Sequence, residues 1–370
     1  MTGAASCATT GSSVSVSGNT LKIYVSAAAG GASLEPAADI LGAEKLAFQQ
    51  ASGGVGRFTV RLVPAASKKL SDNARSAIED SKAIAYLGEA APGTSADSIG
   101  ITNAEDLLQV SPTDTAVELT QSTAADPGSP GRYYEALGTY GRTFARMVPT
   151  DRLEAKAVVS ELGTLGVTKL YVTGDGTAYG KALRVALASA ASPSITIVAR
   201  RSGAQAVFYG GSSPGTAATV LNQAVSQNPA LKLFAPSALD EDAFVSALSP
   251  AARRRLYVSS PGFLASGLPP SGRTFTADFH SAYGHAPAPQ AIFGYEAMAA
   301  VLAVLHEAGP GANNRSTVVA DFLKLTRSSS DSVLGAYSIN GRGDTSIAPF
   351  IFSRVKRGSL IPFKAAPAQG

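Results

Sequence analysis

The chain is poor in the residues whose chemistry is easiest to recognise. One cysteine, Cys7, occurs among 370 residues, which excludes an intrachain disulfide and a thiolate metal cluster. Three histidines, His280, His285 and His306, fall in one late segment. The spacing of the first two does not suit a metal pair on one helix face, so neither a metal nor a cofactor is expected. No apolar run reaches the ~18 residues that would read as a membrane span. Charged residues make up only 16% of the chain, with a net charge of +4. The tightest basic run, Arg253-Arg254-Arg255, reads as a helix C-terminus, and no broad basic footprint exists, which argues against nucleic acid as a partner. The nucleophile elbow G-x-S-x-G, H-E-x-x-H and C-x-x-C are all missing. GDGTAYG (174–180) resembles a phosphate loop but lacks the Lys-Ser/Thr pair that would complete one. Paired carboxylates and a histidine beside a nucleophile are not seen at any strand end, so no catalytic residue is assigned and an enzyme is not expected.

What the chain does have is apolar content, 45% of the whole, enough for large cores and, at this length, for two domains. From residue 21 onward, short apolar runs alternate with helical periodicity. Strands are predicted at 21–26, 57–64, 83–89, around LLQVS and at 139–149, with helices at 38–54 and 71–81 and a short helix in TSADSIGITNAED. A second cycle follows: a helix at 151–167, a strand at 169–175, a helix at 178–191, and strands at ITIVAR, AVFYGG, LKLFAPS and RLYVSSP. Helices return at 274–284, 290–308 and 316–327. LGAYSI and APFIFSRVKRGSLIPF close the chain as antiparallel structure. Alternation of this kind makes parallel sheets covered on both faces, so the fold class is α/β, with two doubly wound parallel-sheet lobes.

Open parallel sheets bind ligands beyond the carboxyl ends of their strands. Those ends here are small and polar: Gly88-Glu89-Ala90-Ala91, Thr113-Asp114-Thr115, Gly174-Asp175, Gly210 to Ser213 and Pro236-Ser237. They offer hydroxyls, backbone N–H groups and tyrosines, an inventory for binding a small molecule. Thr113-Asp114-Thr115 also reads as a cap for a helix starting at Ala116. Phe293 and Tyr295 read either as helix-face packing or as pocket lining. Residues 1–20 place Ala4-Ala5-Ser6 before Cys7, followed by a Ser/Thr/Gly-rich stretch. That pattern is like the end of a lipoprotein signal with Cys7 as the lipidation site and a flexible tether behind it.

Read in order, the strand ends resemble the type I periplasmic solute-binding proteins of branched-chain amino acid (Leu/Ile/Val-type) ABC transporters. AIAYLGEAAPGTSADSIGITNAEDLLQVSPTDTAVELT looks like that family's glycine-led loop, short helix and S-P-x-x-T loop. TFARMVPTDRLEAKAVVSELGTLGVTKLYVTGDGTAYGKAL looks like its crossover and first second-lobe unit, with an Asp-x-x-x-Tyr-Gly element. AVFYGG, FGYEAMAAVLAVLHEAG and GAYSINGRGDTSIAPFIFSRVKRGSLIPF follow in the family's order, and the likeness runs over about residues 21–362. It implies two lobes, 21–148 plus 262–332 and 149–261 plus 333–370, joined by a three-segment hinge crossing near 149, 260 and 333. It implies an extracytoplasmic receptor, monomeric, held to the membrane only by a lipid anchor and delivering a small solute to ABC permease subunits. A ligand-sensing regulator with the same fold is the alternative. The matching ligand positions are Glu89, Ala90, Ala91, Gly93, Asp114, Thr115, Tyr179, Ser212, Ser213, Ser237 and Phe293. Ser237 is neutral where amino-acid binders carry an acid for the ligand ammonium, and Pro92 stands where a serine is usual. A ligand ammonium would then need Glu89, Asp114 or Asp240. The segment 195–211 is also shorter than the family's.

Overall fold

A computed structural model describes residues 14–27, 35–51, 54–136 and 139–366; Cys7 lies outside them. The chain begins with β1 (Thr20–Ser26), α1 (Glu35–Gln50), β2 (Gly54–Val55), β3 (Phe58–Ala65), α2 (Leu70–Glu79), β4 (Ala83–Leu87), α3 (Ile99–Asn103), β5 (Leu108–Ser111) and β6 (Phe144–Arg146). These strands form one sheet in the order β2-β3-β1-β4-β5-β6, parallel except for β2. The chain then crosses to α4 (Asp151–Thr164), β7 (Lys169–Gly174), α5 (Ala178–Ala191), β8 (Thr196–Ile197), β9 (Ala206–Gly210), α6 (Pro214–Gln227), β10 (Lys232–Ala235), α7 (Asp242–Ala247), α8 (Pro250–Arg255) and β11 (Leu256–Pro261). It returns to the first lobe for α9 (Pro270–Tyr283), α10 (Ala291–Ala308), α11 (Arg315–Phe322) and a small ladder, β12 (Thr326–Arg327) with β13 (Tyr337–Ser338). It ends in the second sheet as the antiparallel hairpin β14 (Phe350–Lys356) and β15 (Ser359–Ala365), giving the order β15-β14-β11-β10-β9-β7-β8. Two lobes with parallel-rich sheets result, as the alternation implied.

α10 is long and apolar enough to cross a membrane by composition, a feature the run-length reading passed over, yet it lies two-thirds buried in the first core. It packs so closely on α1 that a Cβ added at Gly294 would sit 2.5 Å from the Ile40 carbonyl. In the second lobe the close approach is at Gly174, where a Cβ would stand 1.8 Å from the Gly210 carbonyl of the neighbouring strand. Gly174→Ala is therefore expected to cost about 1–3 kcal/mol through overpacking, read as a lower urea midpoint at unchanged slope.

Several local expectations are corrected. ITIVAR supplies only the two exposed residues of β8, paired with Lys169 and Leu170 at a sheet edge, because with neither face covered nothing extends the pairing. The strand expected over 139–149 is confined to β6. No helix starts at Ala116; a single 3-10 turn, Val117–Leu119, stands there, so no helix macrodipole points from this loop. The helix expected over 316–327 ends at Phe322, and Thr326–Arg327 pairs with Tyr337–Ser338 from LGAYSI, not with the final hairpin. Residues 333–347 stay with the first core: Val333 N–H (3.0 Å) and the Tyr337 hydroxyl (2.9 Å) both donate to buried Glu296 of α10. The chain joins the second sheet at Phe350, later than the crossing near 333. There the second and third crossings run side by side, Gly262 N–H donating to the Pro349 carbonyl at 3.2 Å.

Candidate functional site

The first lobe's contribution comes from the ends of β1, β4 and β5. Glu89 is buried, and its carboxylate accepts from the Ser26 hydroxyl (2.5 Å) and the Tyr86 hydroxyl (2.6 Å). Burial raises its pKa, opposed by those hydroxyls. Its carbonyl accepts from the Ser111 hydroxyl at 2.6 Å, and the Ala90 carbonyl accepts from Thr113 at 2.5 Å. The β4 and β5 loops are thus sewn together by side chains that read, in sequence, as free hydroxyls.

Asp114 has no exposed surface and accepts three backbone N–H groups: Gly93 at 2.6 Å, Ser95 at 2.9 Å and Ala116 at 3.1 Å. Gly93 holds φ at +81°, and a Cβ there would lie 3.0 Å from the Cβ of Tyr179. The loop that carries Ala90, Ala91 and Gly93 therefore touches the second lobe at Tyr179. The Thr115 carbonyl accepts the Asp151 N–H at 2.9 Å. The Thr115 hydroxyl is buried and makes no ordinary hydrogen bond, though it lies beside the Asp151 carboxylate.

From the second lobe come Tyr179, Ser237, Ser259 and two acids in the first turn of α4. Ser237 donates its N–H (2.7 Å) and hydroxyl (2.9 Å) to Glu154, and Ser259 donates its hydroxyl to the same carboxylate at 2.6 Å. The neutral Ser237 position is thus backed by a buried acid from another element. Asp151 is fully buried, and neither carboxylate oxygen has a hydrogen bond among the described residues. Burial pushes its pKa well up, and Glu154 and Glu118 push the same way, with Thr115 and Arg146 opposing. Burial likewise raises Glu154, against Ser259 and Ser237. Glu118, in the turn after Thr115, is pushed up to about 7 by burial. The Tyr179 hydroxyl faces this group beside Ser237 without a hydrogen bond of ordinary geometry, its pKa raised by burial and by Glu154 and Asp151. Among the described residues, the buried cation beside them is Arg146, ion-paired to Asp344 at 3.2 Å.

Gly93, Asp114, Thr115, Tyr179 and Ser237 therefore meet where the lobes touch. Ser212 and Ser213 serve the second-lobe rim, donating backbone N–H groups to Asp175 at 2.7 and 3.2 Å. Phe293 is corrected to a core residue: it has no exposed surface and its ring stacks on Phe263 at 6.4 Å. A cavity of about 540 Å³, lined by Phe275, Tyr295 and Arg327, lies between α1, α9 and α10 on the first lobe, apart from this cluster. Asp151, Glu154, Glu118 and Arg146 escaped sequence reasoning. Two acids at a helix start are ordinary there, and only tertiary burial distinguishes these.

The topology and the meeting of strand-end loops from two sheets define a two-lobed α/β fold. Residues 193–359 match the family model described as periplasmic binding protein, and the chain has the type I periplasmic binding protein fold. A leucine-binding protein from Thermotoga maritima superposes with a TM-score of 0.74 at 19% identity, over 94% of this chain and 98% of that one. An ABC transporter substrate-binding protein from Desulfitobacterium hafniense in complex with Leu gives 0.73 at 19%, over 93% and 100%. A solute-binding protein from R. palustris in complex with benzoate gives 0.70 at 16%, over 95% and 97%. No curated protein sequence matches the chain. The resemblance read from the strand ends is borne out, and the neighbours include binders of aromatic acids as well as of amino acids.

Proposed function

We propose that the chain is the extracytoplasmic solute receptor of an ABC importer, closing its lobes over a small polar or amphipathic molecule and handing it unaltered to permease subunits. One observation carries the reading. Polar groups from the β4, β5, β7 and β10 ends converge at the contact between lobes and are left partly unbonded there. Such a set suits binding, and the Ser237 and Ser259 hydroxyls beside Glu154 are buried and engaged in holding that carboxylate. The lobes, hinged at the three crossings, act as the jaws. Anchoring through Cys7 and a monomeric state belong to the same proposal. Nothing in the fold favours the regulatory alternative.

The test is thermal melting of the full chain against a broad panel of amino acids, amides, amines and aromatic acids. A solute at about 100 times its Kd should add ~2.7 kcal/mol to stability, and the bound solute should be recovered unchanged. A panel without any stabilising solute, or one returned chemically altered, overturns the proposal.

A further inference from the structure

We infer that the solute is a small organic cation, anchored on Asp151 with Glu118 and Glu154 completing a negative pocket between the lobes. This rests on the receptor reading above and narrows it.

The first argument is that three donors suited to a carboxylate, the Gly93 and Ser95 N–H groups and the Thr113 hydroxyl, are already taken, which leaves the Thr115 hydroxyl. A solute carboxylate at the first-lobe loops would be held by N–H groups of the 90–95 turn and by neighbouring hydroxyls. Here Gly93 and Ser95 give their N–H groups to Asp114 of the chain itself, and Thr113 gives its hydroxyl to the Ala90 carbonyl. Asp114 occupies the cradle as a built-in anion.

The second argument is what remains unbonded. Both oxygens of Asp151 and Oε2 of Glu118 lack hydrogen bonds of ordinary geometry, and so do the hydroxyls of Thr115, beside Asp151, and Tyr179, beside Ser237, among the described residues. Three of these five atoms only accept while ionised, and the other two can do either. A buried carboxylate without a donor is strongly unfavourable. The set therefore calls for a partner rich in N–H groups.

Charge completes the case. Asp114, Glu118, Asp151 and Glu154 are all buried, Glu118 beside Asp114 and Asp151 beside Glu118 and Glu154. Arg146 and, at Glu118, Arg132 are the cations that face them, and they are already paired with Asp344 and Asp126. A neutral amide would supply donors only; a protonated amine or amidinium supplies donors and also the charge that favours the ionised carboxylates. A metal ion is a poor alternative, since no group of three or more metal-ligating side chains is assembled among the described residues. Ser237 fits the same picture, because the charge that its position lacks is carried by Glu154 behind it.

The experiment uses the full chain at neutral pH, by thermal melting and then calorimetry. Ethanolamine, benzylamine, agmatine and acetamidine serve as cationic probes, acetate and benzoate as anions, and leucine as a zwitterion. At least one cationic probe should raise the melting temperature, and the anions should not. Asp151→Asn should weaken that binding tenfold or more while leaving the unliganded protein as stable or more so, because it removes a buried carboxyl that is costly to ionise. Glu118→Gln is the second variant, with the same direction and a smaller loss. If no cationic probe binds, the inference fails. If an anion or leucine binds instead, it fails while the receptor reading stands. A cation whose affinity is untouched by Asp151→Asn, or an Asp151→Asn protein much less stable than the parent, also overturns it.

Discussion

Arg146→Met is expected to lower the unfolding free energy by about 3–5 kcal/mol, the range for removing one partner of a buried ion pair. Arg146 closes β6 with no exposed surface. One guanidinium N–H donates to the Asp114 carbonyl at 2.7 Å, another to the Thr120 hydroxyl at 3.0 Å, and Nε lies 3.2 Å from Asp344. Asp344 is almost as buried and also accepts from Thr120 (2.7 Å) and Gln121 (2.8 Å). Methionine fills the aliphatic volume but leaves the Asp344 carboxylate with neutral donors only. The group links three chain segments: the β5 loop, β6, and the 340–347 turn before the third crossing. Urea unfolding should show the loss, and the double variant with Asp344→Leu should recover part of it, since the stranded charge is then gone. A loss under about 1 kcal/mol, the size of an exposed pair such as Arg75–Asp72, would mean that the network is solvated and does not hold the loop.

How far the sequence could be read varies with what each feature depends on. α5 was legible to the residue, because apolar periodicity starts directly after Thr177, whose hydroxyl accepts the Gly180 N–H at 3.0 Å. The order of strands and helices was legible for the same local reason. The turn after Thr115 was misread because Asp114 looks like a cap and does accept the Ala116 N–H. Its other two partners come from the β4 loop, and that long-range demand bends the chain into a 3-10 turn. Which strand-end residues converge was half legible. Asp114, Thr115 and Ser237 follow from topology, since parallel strands deliver their ends to one edge, whereas Gly93 and Tyr179 follow only from the resemblance. Which of them are spent on protein partners and which stay unbonded depends on distances between loops, and so does the burial of Asp151 and Glu154. Nothing in the local pattern DRLEAK separates these acids from solvated ones at any helix start.

Those acids set the other large effect, on pH. Glu118 moves from an ordinary 4.5 to about 7, and burial is the leading cause. Asp151 and Glu154 move in the same direction for the same leading reason. A carboxyl group with a raised pKa holds its proton in the folded state after the unfolded chain has released it. Its contribution to stability is whole below the unfolded value and is lost as pH rises through the folded one. The displacement at Glu118 alone corresponds to roughly 3 kcal/mol, and the Asp151–Glu154 pair adds to it. Asp80, held down by Lys22 and Tyr24 against the effect of burial, and Asp175, held down by Thr177 and the 212–213 N–H groups, have the opposite slope. They lose their contribution only as pH falls below the ordinary aspartate range. Stability of the unliganded chain should therefore peak in mild acid and fall by at least about 3 kcal/mol between pH 5 and 8, measured by urea unfolding at each pH. Glu118→Gln should flatten the curve and leave the protein more stable than the parent at pH 8. A bound cation would favour the ionised carboxylates and so oppose the fall, which ties the profile to the pocket's occupant. A flat curve, or one that rises from pH 5 to 8, would show that these carboxylates are ionised and solvated throughout, and the closed, negative pocket would not exist in solution.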